Sequence, residues 1–171
     1  PYLDGVAQPT VSADAPQQPY PVKGLTNGKA YTFAVSLVNE RGAGAAGLTS
    51  NPITPQGPPL APNAPSAVPG NGTATVSWSE PGNEGSSITG YVVIPASASG
   101  TLPAITVGAS PLSAVVTGLE NGTAYTFTVA AKNAVGTGPA SPTSTPVTPI
   151  GPAGPPTGLV GSPQDGGVLL A

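Results

Sequence analysis

The 171-residue chain has no cysteine, no methionine and no histidine. Without cysteine there is no disulfide framework, no thiolate metal site and no thiol nucleophile. Without histidine a Ser-His-Asp triad cannot form. Charge is scarce as well. It resides on Lys23, Lys29, Arg41 and Lys132, against Asp4, Asp14, Glu40, Glu80, Glu84, Glu120 and Asp165. Together these are 6% of the chain, where ordinary soluble domains carry about 25%. Four scattered cations cannot track a phosphate backbone, which argues against nucleic-acid binding. They cannot build a polybasic membrane patch either. A net charge of −3 is too small to steer partners strongly. No apolar run approaches the roughly 18 residues of a membrane-spanning helix, so no membrane insertion is expected in this segment.

Glycine and proline are abundant, at 24 residues each. Without a period such a composition accompanies disorder. Here there is a period. Residues 22–55 and 116–149 are identical at 19 of 34 positions without a gap, at an offset of 94. A long fixed period marks a modular array. Three units follow: the back part of one over residues 1–55, a complete one over 56–149, and the front of another over 150–171. On this offset Pro1 matches Pro95, and Ala171 stands one residue before the equivalent of Trp78. The two ends do not sum to one unit, because the equivalents of Trp78–Ile94 are in neither. Completion between chains is therefore disfavoured. The stretches Gln56–Pro62 and Ile150–Pro156 are proline-rich and read as semi-rigid extended linkers, each passing into an edge strand.

Alternation of apolar and polar residues places the strands. Thr73–Trp78 turns Ala74, Val76 and Trp78 inward. Ile88–Ile94 turns Tyr91 and Val93 inward. Ala104–Val107 and Ala114–Val116 are shorter runs. Ala124–Lys132 directs Tyr125, Phe127, Val129 and Ala131 to one face and Thr126, Thr128, Ala130 and Lys132 to the other. Ser144–Thr148 closes the unit, with Pro146 favouring an edge. No amphipathic helix is evident. About seven short strands in one unit predict an all-β fold of antiparallel sandwiches.

These residues resemble the fibronectin type III module. The likeness is carried by Gly118-Leu119, Asn121-Gly122, Tyr125, Phe127, Val129, Ala131 and Asn133, followed by Gly136, Gly138 and Ser141. Trp78 and Tyr91, with Pro62 and Pro65 ahead of them, match the front half. Gly24-Leu25, Asn27-Gly28, Tyr31, Phe33, Val35 and Asn39, followed by Gly42 and Gly44, repeat the back half. The resemblance implies tandem immunoglobulin-like sandwiches, one complete and two partial, of the bacterial or phage extracellular type. The core is expected to hold Trp78, Tyr91, Leu119, Tyr125, Phe127 and Val129 in the complete unit. In the first unit it is expected to hold Leu25, Tyr31, Phe33 and Val35. Tyr125 follows Leu119 by six residues, the spacing of a tyrosine corner, whose hydroxyl bonds backbone in the turn.

No residue set carries chemistry. Glu80 and Glu84 share one Gly-Pro loop, which lacks the fixed carboxylate separation of a glycosidase. With Asn83 and serines they fall short of the six to eight oxygens that calcium takes. Glu40-Arg41-Gly42 lies where animal adhesion modules of this family carry Arg-Gly-Asp, but the order differs and no aspartate follows. Asn71-Gly72-Thr73 and Asn121-Gly122-Thr123 match the N-glycosylation pattern, yet Asn-Gly turn chemistry already explains both. No catalytic residue, metal site or cofactor is expected, and the chain reads as no enzyme.

Three functions remain open. The first is a structural and interaction array, extracellular or at a cell surface, that spaces or displays other domains or self-assembles into a filament or sheath. Its partners would be neighbouring modules, other copies of itself or surface polysaccharide. Low charge and exposed β edges favour side-by-side association. The second is an accessory module of a secreted polysaccharide-degrading enzyme. Stacking on sugars needs exposed aromatics, and only Tyr2 and Tyr20 are not claimed by the cores. The third is a phage tail or virion component.

Overall fold

The computed structural model describes residues 1–12 and 19–170, so Asp14 lies outside the described residues. The described residues contain strands, turns and extended linkers, and no helix. Among the described residues the first unit has five short strands: β1 (Tyr2–Leu3), β2 (Val6–Ala7), β3 (Tyr31–Thr32), β4 (Val38–Asn39) and β5 (Gly42–Ala43). They form a β2-β1-β3 sheet and a β4-β5 hairpin.

The central unit is complete. Its strands are β6 (Ser66–Gly70), β7 (Thr73–Ser77), β8 (Ile88–Ser97), β9 (Gly100–Thr101), β10 (Ile105–Gly108), β11 (Ser113–Thr117), β12 (Thr126–Asn133) and β13 (Thr137–Ala140). One sheet runs β11-β7-β6 and the other β10-β8-β12-β13, with β9 paired to β8. All pairings are antiparallel. The third unit contributes one hairpin, β14 (Gly161–Gln164) with β15 (Gly167–Leu170).

The two central sheets enclose one core. Ala74, Val76 and Val116 come from one sheet, and Tyr91, Val93, Phe127, Val129 and Ala131 from the other. Trp78, Leu119 and Tyr125 join the same cluster. Trp78 and Tyr91 meet with ring centroids 5.1 Å apart and planes tilted by 54°, within the range aromatic pairs prefer. The alternation of β12 is incomplete, because Ala130 is buried as well as Ala131. Ala130 stands opposite Val92 and Ala140 in the sheet, and its small side chain lies low between those neighbours.

The last strand differs from the sequence expectation. It is β13, and Ser144–Thr148 contributes only the single bridge of Val147 to Tyr125. The cause is proline. Pro142 and Pro146 have no N–H, so a regular ladder cannot run through them. Serine hydroxyls act in its place. Phe127 N donates to Ser144 Oγ at 3.0 Å while Ser144 N donates to Phe127 O at 2.9 Å. Val129 N donates to Ser141 Oγ at 3.0 Å while Ser141 N donates to Val129 O at 2.8 Å.

The first unit repeats the Ser144 bonding but not the Ser141 hydroxyl bond, since Gly47 stands there, nor the burial. Phe33 N donates to Ser50 Oγ at 3.0 Å, and Ser50 N to Phe33 O at 2.7 Å. Tyr31 is buried. Leu25 and Phe33 are only half-buried. Val35, expected in a core, is 75% exposed within these residues, because the strands equivalent to those holding Ala74 and Val76 are not among residues 1–55. Its equivalent Val129 is covered by the sheet holding Ala74 and Val76. Within these residues the first unit has no such opposing sheet. Val168 and Leu170, equivalent to Ala74 and Val76, are exposed for the converse reason.

Candidate functional site

The polar residues of the repeated motif gather at the turns. In the central unit Glu120 N donates to the Tyr125 hydroxyl oxygen at 3.1 Å. In the first unit Thr26 N donates to Tyr31 at 3.0 Å. Each tyrosine thus pins the turn before its own strand, with its ring in the module interior.

The Asn-Gly turns bind the linkers. Gly122 N donates to Pro149 O at 2.9 Å, and Gly28 N to Pro55 O at 3.0 Å. Asn121 Nδ2 donates to Asn71 Oδ1 at 2.8 Å, and Gly72 N donates to Asn121 Oδ1 at 2.8 Å. The two potential glycosylation asparagines are therefore bonded to each other across two turns. The departing chain is fixed there too, with Ile150 N donating to Gly70 O at 3.1 Å.

Asn133 is the densest polar point of the central unit. It is buried. Its Nδ2 donates to Gly57 O at 2.8 Å, and to Asn83 O and Ser86 O at 3.2 Å each. Its Oδ1 accepts from Val135 N at 2.9 Å and Gly136 N at 3.1 Å. One side chain thus joins the incoming linker, the Asn83–Ser86 loop and the turn after β12. The motif contains Asn133, but its role depends on partners 47 to 76 positions away. The recurring pairs Asn39/Asn133 and Ser50/Ser144 were the available signal.

The candidate acids do not assemble. Glu80 is exposed, while Glu84 lies half-buried in the turn beside Gly85. No group of three potential metal ligands occurs among the described residues. Arg41 N donates to Asn39 Oδ1 at 2.9 Å, and Glu40-Arg41 forms the β4–β5 turn, with Gly42 opening β5. Tyr2 is half-buried in β1, and Tyr20 is exposed with its hydroxyl donating to Ser12 O at 3.3 Å. Two buried polar atoms, Trp78 Nε1 and Tyr91 Oη, have no hydrogen-bond partner. Burial, and secondarily the negative Glu80, push the Tyr91 hydroxyl above the usual tyrosine range, while the neighbouring Trp78 indole pulls it back.

Residues 58–147 match the model of the fibronectin type III domain. The chain belongs to the fibronectin type III family. Among curated relatives, Chitinase A1 of Niallia circulans is 35% identical over 125 residues. That match takes in 67% of this chain but 17% of the chitinase, so the chain spans under a fifth of that relative's length. Among solved structures, a set of titin domains is 24% identical with a TM-score of 0.53. It covers 75% of this chain and 44% of that one. The twitchin kinase region of C. elegans is 23% identical with a TM-score of 0.50, covering 55% and 17%. These structural likenesses concern the fold alone. The fibronectin type III module is a structural and interaction domain, and its sandwich hosts many unrelated roles.

Proposed function

We propose that this chain is a non-catalytic spacer within a longer extracellular or surface protein, setting the distance and orientation of the domains it joins. The observation that carries this reading is where the motif's polar groups go. Tyr125, Asn121, Asn133, Ser141 and Ser144 all bond to turns, strands or linkers of the array itself. Retention of the 171-residue chain on insoluble chitin and cellulose is the test. The spacer reading expects the chain in the wash. Clear retention would sink it.

A second reading is favoured by the likeness to Chitinase A1. The chain would then be an accessory module of a secreted polysaccharide-degrading enzyme, with catalysis in another domain. Sequencing the native polypeptide beyond both ends tests this. A neighbouring glycosidase domain is the expected result, and its absence would rule the reading out.

A further inference from the structure

The linker between the first and central units has no slack. Pro55 is bonded to the first unit through Gly28 N at 3.0 Å. Gly57 N donates to Glu84 O at 2.9 Å, its carbonyl accepts from Asn133, and Leu60 N donates to Gly82 O at 2.9 Å. A Cβ on Gly57 would collide with the Asn27 side chain. Gly57 thus touches both units. Pro59 and Pro62 are buried against the central unit.

The units also touch directly, backbone to backbone. Glu84 and Gly85 form a turn with φ of 52° and 82°, a region that favours glycine. A Cβ at Gly85 would stand 2.7 Å from Pro55 O, 3.1 Å from Gly28 N and 3.2 Å from Gly28 Cα. The turn therefore seats on Gly28 at a distance that side chains would prevent. In the central unit Gly122 is the equivalent of Gly28 and closes the same Asn-Gly turn, with its N–H on Pro149 O at 2.9 Å.

From this contact we infer that consecutive units are locked by a clamp. The Glu84-Gly85 turn of one unit seats on the Asn-Gly turn and linker of the unit before it. The partner this surface fits is another unit of the same array. The Gly122 turn would take the equivalent turn of a following unit in the same way. The inference takes its purpose from the spacer reading. Its test measures geometry, so the two can fail separately.

The chain has no cysteine, so two introduced ones carry spin labels without competition. Ala45→Cys and Thr117→Cys lie at exposed positions in the first and central units. Their distance distribution in the 171-residue chain is expected to be narrow. Inserting Gly-Ser-Gly-Ser between Gln56 and Gly57 supplies flexible chain and should broaden it at least about twofold. Gly85→Ala should broaden it as well. Gly118→Ala is the control for backbone strain, with φ of 74° and nothing within 4 Å of its Cβ, and should leave it unchanged. Trp78 fluorescence reports that the central unit remains folded in each variant. A distribution already broad in the unaltered chain, or one that Gly85→Ala leaves as narrow as the parent's, would overturn the clamp.

Discussion

Val35 and Val129 occupy equivalent positions in two copies of one motif, yet the first is 75% exposed and the second fully buried. Their carbonyls are bonded alike. Gly47 N donates to Val35 O at 2.9 Å, as Ser141 N does to Val129 O at 2.8 Å. The tyrosine and serine bonds recur at nearly the same lengths in both units. The back half of the module therefore sets its own hydrogen-bond skeleton. Burial is supplied by the other sheet, whose residues lie far away in sequence.

The largest test of that comparison removes the core. Trp78→Ala is expected to cost about 3–5 kcal/mol, the range for truncating a buried aromatic. Urea denaturation followed by circular dichroism measures it; a loss below about 1 kcal/mol would place Trp78 outside the core. The bonds within residues 1–55 should survive this change, as amide exchange at Tyr31 and Ile53 can report.

The paired valines are the sharpest comparison. Val129→Ala should lose about 1.5–3 kcal/mol, the scale of one fully buried aliphatic side chain. Val35→Ala should stay within about 0.5 kcal/mol, as for other surface changes. Equal losses by denaturant titration would dissolve the distinction between the units.

The tyrosines should behave alike. Tyr125→Phe and Tyr31→Phe each remove one accepted hydrogen bond, with an expected loss of about 1 kcal/mol. Faster amide exchange at Glu120 and Thr26 respectively is the direct readout. An effect at Glu120 without one at Thr26 would mean the first unit does not hold its turn.

Tyr91→Phe is the smallest change. The Tyr91 hydroxyl is buried and meets no geometric hydrogen-bond criterion, so replacing it with an apolar edge of the same shape should be close to neutral or slightly stabilising at neutral pH. The alkaline limb differs. Burial and then Glu80 raise the folded-state pKa of Tyr91. The unfolded chain thus releases its proton first, and the contribution present below about pH 10 is lost as pH rises through the folded value. Tyr91→Phe should make the decline above about pH 10 shallower. An unchanged slope would assign the decline to other groups.

Much of this was legible in sequence where the signal was local. The alternation in Thr126–Asn133 and the six-residue step from Leu119 to Tyr125 come from single strands and turns. Ser144–Thr148 misled because its apolar and polar pattern suits a strand, while Pro142 and Pro146 prevent the ladder. The two serines that replace it reach partners 12 and 17 residues away. Asn133 and the Gly85–Gly28 contact were still less visible. Their meaning depends on which backbone lies opposite, and a lone Asn or Gly reads as a turn residue wherever it occurs. Val35 shows the converse: its core pattern is sound, but the strands that would face it are not among residues 1–55, while Tyr31 finds cover within them.

The serine pairs have one more consequence, for the outer margin of the larger sheet. Five of the eight backbone positions from Pro139 to Pro146 have no N–H to present to another chain. Pro139, Pro142 and Pro146 lack one, and Ser141 and Ser144 direct theirs to Val129 and Phe127. An unpaired row of donors and acceptors is what lets a strand recruit a foreign one. A protein with so little charge to keep its copies apart has here a margin on which a new strand finds almost nothing to grip.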